Sequence, residues 1–196
     1  MPELQPLSFE LLKTGPVLRK KEGNFEWRVE FLASSWNRGN EVCCYNPYFM
    51  VTNSDYKQFL KKHGYKNNSD GIVGTTNGCQ HWDSRLFSEN GGKAYFLEDF
   101  DLAKHDNYKL VTNLVANIKE IGIPYFKMMS NFDGIVNFYF KTEQRKDVPT
   151  MLDLCSVLYR PEQFEKILQW YDKDKINVPA NLDEQIEMRR KNRTDN

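Results

Sequence analysis

The stretch GCQHWDSRLF, residues 78–87, places Cys79, His81, Asp83 and Arg85 at alternate positions. Thiol, imidazole, carboxylate and guanidinium are groups that ligate zinc, activate a nucleophile or hold an anion. Alternate positions on a strand share a face, so these four side chains and Phe87 are expected on one side, with Gln80, Trp82, Ser84 and Leu86 on the other. A zinc site needs three or four ligands at fixed distances. Cys79 and His81 could supply two, and Cys43 or Cys44 a third only if its strand lies alongside. The chain has no Cys-x2-Cys pair, and His63 and His105 stand alone. No metal is therefore expected. Strand rise separates Cys79 and His81 by about 6.5–7 Å, which permits contact without creating it. No Gly-x-Ser-x-Gly or active-site cysteine signature surrounds them. Asp99 and Asp101 flank Phe100, but acids between a strand and a helix usually serve as caps and surface charges. No catalytic residue and no cofactor is expected.

Arg85 is the member with most scope. An arginine between Trp82 and Phe87 either pairs with a carboxylate such as Asp83, Glu30 or Glu98, or presents a fork to the carboxylate of a ligand or partner. Trp36, just past a strand end, is either core or an interface anchor. Arg85, His81, Asp83 and Trp36 are the candidate ligand- or partner-binding residues. Gly-x-Gly-x-x-Gly and P-loop patterns are absent from the sequence.

These residues need elements to hold them. Residues 25–33, FEWRVEFLA, alternate cleanly and predict a strand with Phe25, Trp27, Val29, Phe31 and Ala33 on one face. Residues 42–51 predict a second strand, in which Asn46-Pro47 suggests an edge or a bulge. The run 79–87, a turn at SENGG and the run 93–99 predict a β-hairpin. Residues 7–14, LSFELLKT, fit a short helix capped by Ser8. Residues 54–64 fit another, with Asn53 or Ser54 as cap and Gly64 as stop. Residues 65–78 are rich in turn formers and predict an extended, mobile loop that folding does not require.

The period then changes. Leu110, Leu114, Ile118 and Ile121 form one stripe of a helix over 106–122. Gly122 is expected to end it in a left-handed conformation, with Pro124 preventing its continuation and Tyr125 and Phe126 entering the core. An apolar helix over 130–140 follows, capped by Ser130 or Asn131. Pro149 and Pro161 mark the first turns of two more helices, and Asn181 opens a last polar one. Strands followed by helices predict an α+β fold, an antiparallel sheet with helices packed on one face and a C-terminal helical segment. Residues 1–180 are read as one domain and 181–196 as a polar helix or tail.

Bulk composition narrows the function. The 27 basic and 27 acidic residues give a formal net charge of zero, whereas a general nucleic-acid binder needs a basic field to collect phosphates. The densest cationic cluster, Arg189, Arg190, Lys191 and Arg193, reads as a solvated helix end. No apolar stretch approaches a membrane span, and the N-terminus lacks the pattern of a signal peptide. The expected location is cytoplasmic, where the four cysteines read as half-buried thiols.

Several motifs, taken in order, resemble the bacterial domain of unknown function 4304 family. They are a leading helix with the basic turn LRKKEGN, the strand FEWRVEFLASSWN, the hairpin strands QHWDSRLF and KAYFL, and a helix joined through GIPYF to the apolar helix SNFDGIVNFYF. The join is the most specific element, and the resemblance spans roughly residues 7–172. It implies a cytoplasmic bacterial protein and an interaction or immunity-like module, and it carries over no catalytic residues. The expected function is non-catalytic binding of another protein, immunity- or toxin-associated, with neither nucleic acid nor membrane as partner. The alternative is a small-molecule-binding protein or enzyme with an Arg85-centred anion pocket.

Overall fold

The structure, a computed structural model, describes residues 7–13, 17–33, 44–65, 70–77, 100–101, 112, 114–141, 147–173 and 180–194. It is α+β. The strands are β1 (Glu10–Leu11), β2 (Val17–Glu22), β3 (Phe25–Ala33), β4 (Cys44–Asn53), β5 (Ile72–Asn77) and β6 (Phe100–Asp101). The helices are α1 (Ser54–His63), α2 (Ile123–Met129), α3 (Phe132–Lys141), α4 (Val148–Val157), α5 (Pro161–Lys173) and α6 (Ala180–Thr194). Two compact units emerge: Met1–Thr52 with Gly74–Met129, and Asn53–Val73 with Ser130–Asn196.

The sheet runs in the order β1-β2-β3-β4-β5, and β6 also pairs with β4. A two-residue turn joins β2 to β3, with Gly23 at φ 60°. Such hairpin turns demand a positive φ that glycine adopts without strain. The antiparallel register sets Leu18 opposite Val29 and Lys20 opposite Trp27. Leu18, Trp27 and Val29 are buried, and the Lys20 ammonium lies 5.0 Å from the Trp27 ring centroid. The other face carries Arg19 opposite Arg28. This like-charge pair is offset by Glu10 at 3.1 Å from Arg19 and by Glu26 at 2.6 Å from Arg28. The alternation read from residues 25–33 is observed at its centre, where Trp27 and Val29 are buried and Glu26, Arg28 and Glu30 are half-buried.

Other expectations are corrected. The helix expected over 7–14 is not formed by the described residues 8–13: Ser8 has φ 58°, and Glu10 and Leu11 pair with Arg19 and Leu18. The expected helical face is not formed: Leu11 remains 68% exposed while Leu7 and Leu12 are half-buried. β4 is interior rather than an edge, despite Pro47. A residue's N–H points toward one neighbour only, so a single proline removes one ladder bond. Within the loop read over 65–78, residues 72–77 form β5. Gly71 is buried at φ 68°, and its carbonyl accepts from Asn53 N–H at 2.9 Å. This part of the segment is structural.

The expected stop at Gly122 is also overturned. Ile118–Gly122 form a π-helical turn, with Ile123 N–H donating to Ile118 O, and α2 follows directly. Pro124 would strike the carbonyl four residues back in a regular helix, and that carbonyl belongs to Glu120 inside the wider turn. Gly122 does not have a positive φ. Its lack of a side chain serves packing: a Cβ there would lie 3.2 Å from Phe49 Cζ. Phe126 is fully buried, stacked on Trp27 at 5.3 Å and edge-on to Phe49 at 5.5 Å. Tyr125 is buried as expected.

In the second unit, local signals worked well. Asn53 Oδ1 caps α1 by accepting from Tyr56 N–H at 2.9 Å, and Gly64 ends it at φ 69°. Asn131 Oδ1 accepts from Asp133 N–H at 2.9 Å at the start of α3. Proline lies in the first turn of α4, and Pro161 opens α5. The centre of this unit is α4, where Met151, Leu152, Asp153, Leu154 and Cys155 are all buried and α1, α3, α5 and α6 all make contact. Leu182 and Ile186 of α6 join the core.

Candidate binding cleft in the helical unit

An apolar helix enclosed on its sides cannot carry an unpaired charge. Asp153, 1% exposed at the middle of α4, meets Arg189 of α6. Arg189 Nε donates to Oδ1 and Nη2 to Oδ2, each at 2.7 Å. Arg189 Nη1 donates to Gln185 O at 3.0 Å, and the Tyr56 hydroxyl lies 3.3 Å from Asp153 Oδ2. Burial pushes the Asp153 carboxyl above its usual range, while the Arg189 fork and Tyr56 pull it back. Burial works most strongly against the charge of Arg189, but the hydrogen bond and charge of Asp153, with Tyr56 and Tyr65, together outweigh it and hold the guanidinium above its ordinary value. The reading of Arg189 as a solvated helix end is thus corrected: it is 7% exposed and committed to Asp153. A lone aspartate within MLDLC was the signal in the sequence that a buried cation must exist.

Tyr65 lies against the same guanidinium, its ring centroid 4.5 Å from Arg189 Cζ, and Asn192 Nδ2 donates to its hydroxyl at 2.8 Å. His63 stacks on Tyr65 at 5.7 Å, and Phe59 sits 4.4 Å from His63. These rings and the Asp153–Arg189 pair form part of the wall of a half-open cleft of about 980 Å³. Lys62, Tyr159, Arg160 and Phe164 complete much of its rim and lining.

Tyr159 is the unusual member. The join after α4 is a Schellman turn: Arg160 N–H donates to Cys155 O at 2.8 Å and Tyr159 N–H to Ser156 O at 3.4 Å. The residue at its centre must be left-handed, a place for glycine. Here it is Tyr159 at φ 53°, with its side chain 90% exposed. Left-handed backbone costs a bulky residue about 1–2 kcal/mol, and burial of the ring does not offset it.

Among the described residues of the cleft, the side chains that could act as nucleophile and base do not pair. The Ser156 hydroxyl donates to Leu152 O at 3.2 Å, Cys155 is a buried thiol outside any disulfide, and His63 makes ring contacts with Phe59 and Tyr65. Among the described residues no group of three or more His, Cys, Asp or Glu side chains could hold a metal ion. No described helix is long and apolar enough to cross a membrane. The sequence candidates Arg85, His81, Asp83 and Trp36 lie outside the described residues, as do Cys43, Cys79, Asp99 and His105 and the expected hairpin over 79–99. No family model, curated protein or solved structure matches the chain.

Proposed function

We propose that this chain is a non-catalytic protein-interaction module, of an immunity- or toxin-associated kind, that binds its partner at the cleft of the helical unit. Tyr159 carries the reading. An exposed aromatic held at a strained backbone position on a cleft rim gains nothing for the fold, and strain of this kind gathers at functional sites. Tyrosine and arginine are enriched among the residues that dominate protein interfaces, and Tyr159 and Arg160 stand side by side. Arg189 argues against a small-anion pocket at the wall, because its fork is already filled by Asp153.

The test separates stability from binding. Tyr159→Gly relieves the left-handed strain and should leave the protein as stable or up to about 1 kcal/mol more so. A photo-crosslinking side chain at position 159 should trap a protein in the native host, while one at the exposed Lys166, outside the cleft, should not. Tyr159→Gly should abolish the same complex. A glycine variant that is less stable yet keeps its partner would assign Tyr159 to the fold.

A further inference from the structure

We infer that the segment entering this cleft is an acidic stretch of the partner protein, an inference that rests on the protein-binding reading above. Two features of the wall carry it. The first is a charge imbalance. Asp153 and Asp55 are the acids of the lining, and Asp153 is neutralised by Arg189. Lys62 and Arg160 also line the cleft, are exposed, and form no ion pair among the described residues. Outside the cleft, Lys57 of the same unit pairs with Asp70, and Arg190 with Asp172 and Glu187. Two uncompensated cations therefore face one carboxylate, with His63 beside them. The second is the start of α5. Arg160 O accepts from Phe164 N–H at 3.1 Å, which makes Arg160 the cap residue. A guanidinium has no acceptor atom to cap the first N–H groups, and Glu162 is the acid of the first turn, so a partner's carboxylate would add to what Glu162 offers the positive end of this helix. The carbonyls at the end of α4, whose dipole has the opposite sign, are satisfied by the Schellman turn.

Size and chemistry select the occupant. A volume of about 980 Å³ is far more than one oxyanion fills, and four of the lining residues are phenylalanine or tyrosine. Phe59, Tyr65 and Tyr159 offer surfaces for apolar side chains between the acidic ones. Nucleic acid would need many phosphate contacts, which two free cations on a chain of zero net charge do not supply.

The test uses the full chain and a displayed library of random peptides. Enriched sequences should be rich in Asp and Glu with interspersed apolar residues. A synthetic, fluorescein-labelled member should bind about tenfold more weakly in high salt than in low salt. Lys62→Glu combined with Arg160→Glu should weaken it by at least about tenfold, without moving the urea midpoint, and replacing the peptide's acids by lysine should restore binding to that variant. Enrichment of neutral or basic peptides whose binding is lost in Tyr159→Gly would overturn the acidic inference while leaving the protein-binding reading intact. Acidic peptides indifferent to the charge reversals bind elsewhere and overturn it too. Preferential binding of a single-stranded oligonucleotide at the cleft, or no peptide enriched at all, would count against both.

Discussion

Asp153 and Arg189, 36 positions apart in the chain, face each other through two parallel 2.7 Å hydrogen bonds, both side chains withdrawn from solvent. The pair ties α6 to α4. Removing one partner leaves a buried charge unmatched, at a cost of about 3–5 kcal/mol. Asp153→Asn and Arg189→Met should each lose that much in urea denaturation. The combination Asp153→Leu with Arg189→Met removes both charges and should recover most of the loss. A double variant as unstable as the singles would show that the polar network, with Tyr56 and Gln185, has a role apolar packing cannot replace.

Alkaline pH should act through Tyr171. Its ring is fully buried, and its hydroxyl lies 3.4 Å from Asp183 Oδ1. Burial, and then the charge of Asp183, raise its pKa from 10.0 to about 12. In the unfolded chain the phenol ionises first. Its contribution is therefore intact below pH 10.0 and is lost as pH climbs toward about 12. Urea midpoints measured across this range should fall, and fall less steeply in Tyr171→Phe. Identical slopes would assign the alkaline loss to other groups.

Two glycines with almost the same φ should respond differently. Gly23 has φ 60° and open space around a virtual Cβ, whereas Gly71 has φ 68° and would set that Cβ 2.6 Å from Asn53 O. Gly23→Ala should cost about 1 kcal/mol, the backbone penalty alone. Gly71→Ala adds a clash with main chain and should cost clearly more by thermal or urea unfolding. Equal costs would mean that the Asn53–Gly71 contact yields easily.

Phe126 lies against Trp27, Phe49, Phe9 and Tyr125 with ring centroids 5.3–6.1 Å away. Phe126→Ala removes a fully buried ring and should cost about 3–5 kcal/mol. A domain holds only about 5–15 kcal/mol in total, so folding should be nearly abolished, read as loss of a cooperative urea transition. Phe59→Ala, on the half-exposed cleft wall, should remain folded.

The elements that neighbours in sequence specify were legible before any coordinates. Alternation over residues 25–33, the Asn53 and Asn131 caps, the Gly64 stop and the prolines of α4 and α5 act across four residues or fewer, and each appears as read. What distant chain decides was not legible. Residues 72–77 look like loop because turn formers lie before and among them, Asn67, Asn68, Asp70, Gly71, Gly74 and Asn77; Ile72, Val73, Thr75 and Thr76 suit a strand once they have a place in the sheet beside β4. Leu11 sits in a helical pattern but takes the conformation that Leu18 offers it. The helix runs past Gly122 and Pro124 because a widened turn removes the proline's clash, while Phe49 of β4 needs the space that a Cβ would fill. The cleft depends on tertiary structure most of all. Arg189 belongs to a basic, polar run that composition assigns to water, and only the burial of Asp153 on α4 draws it inside. A charge's environment is set by whatever the folded chain brings against it, and the residues that settle Arg189 lie 36 positions away.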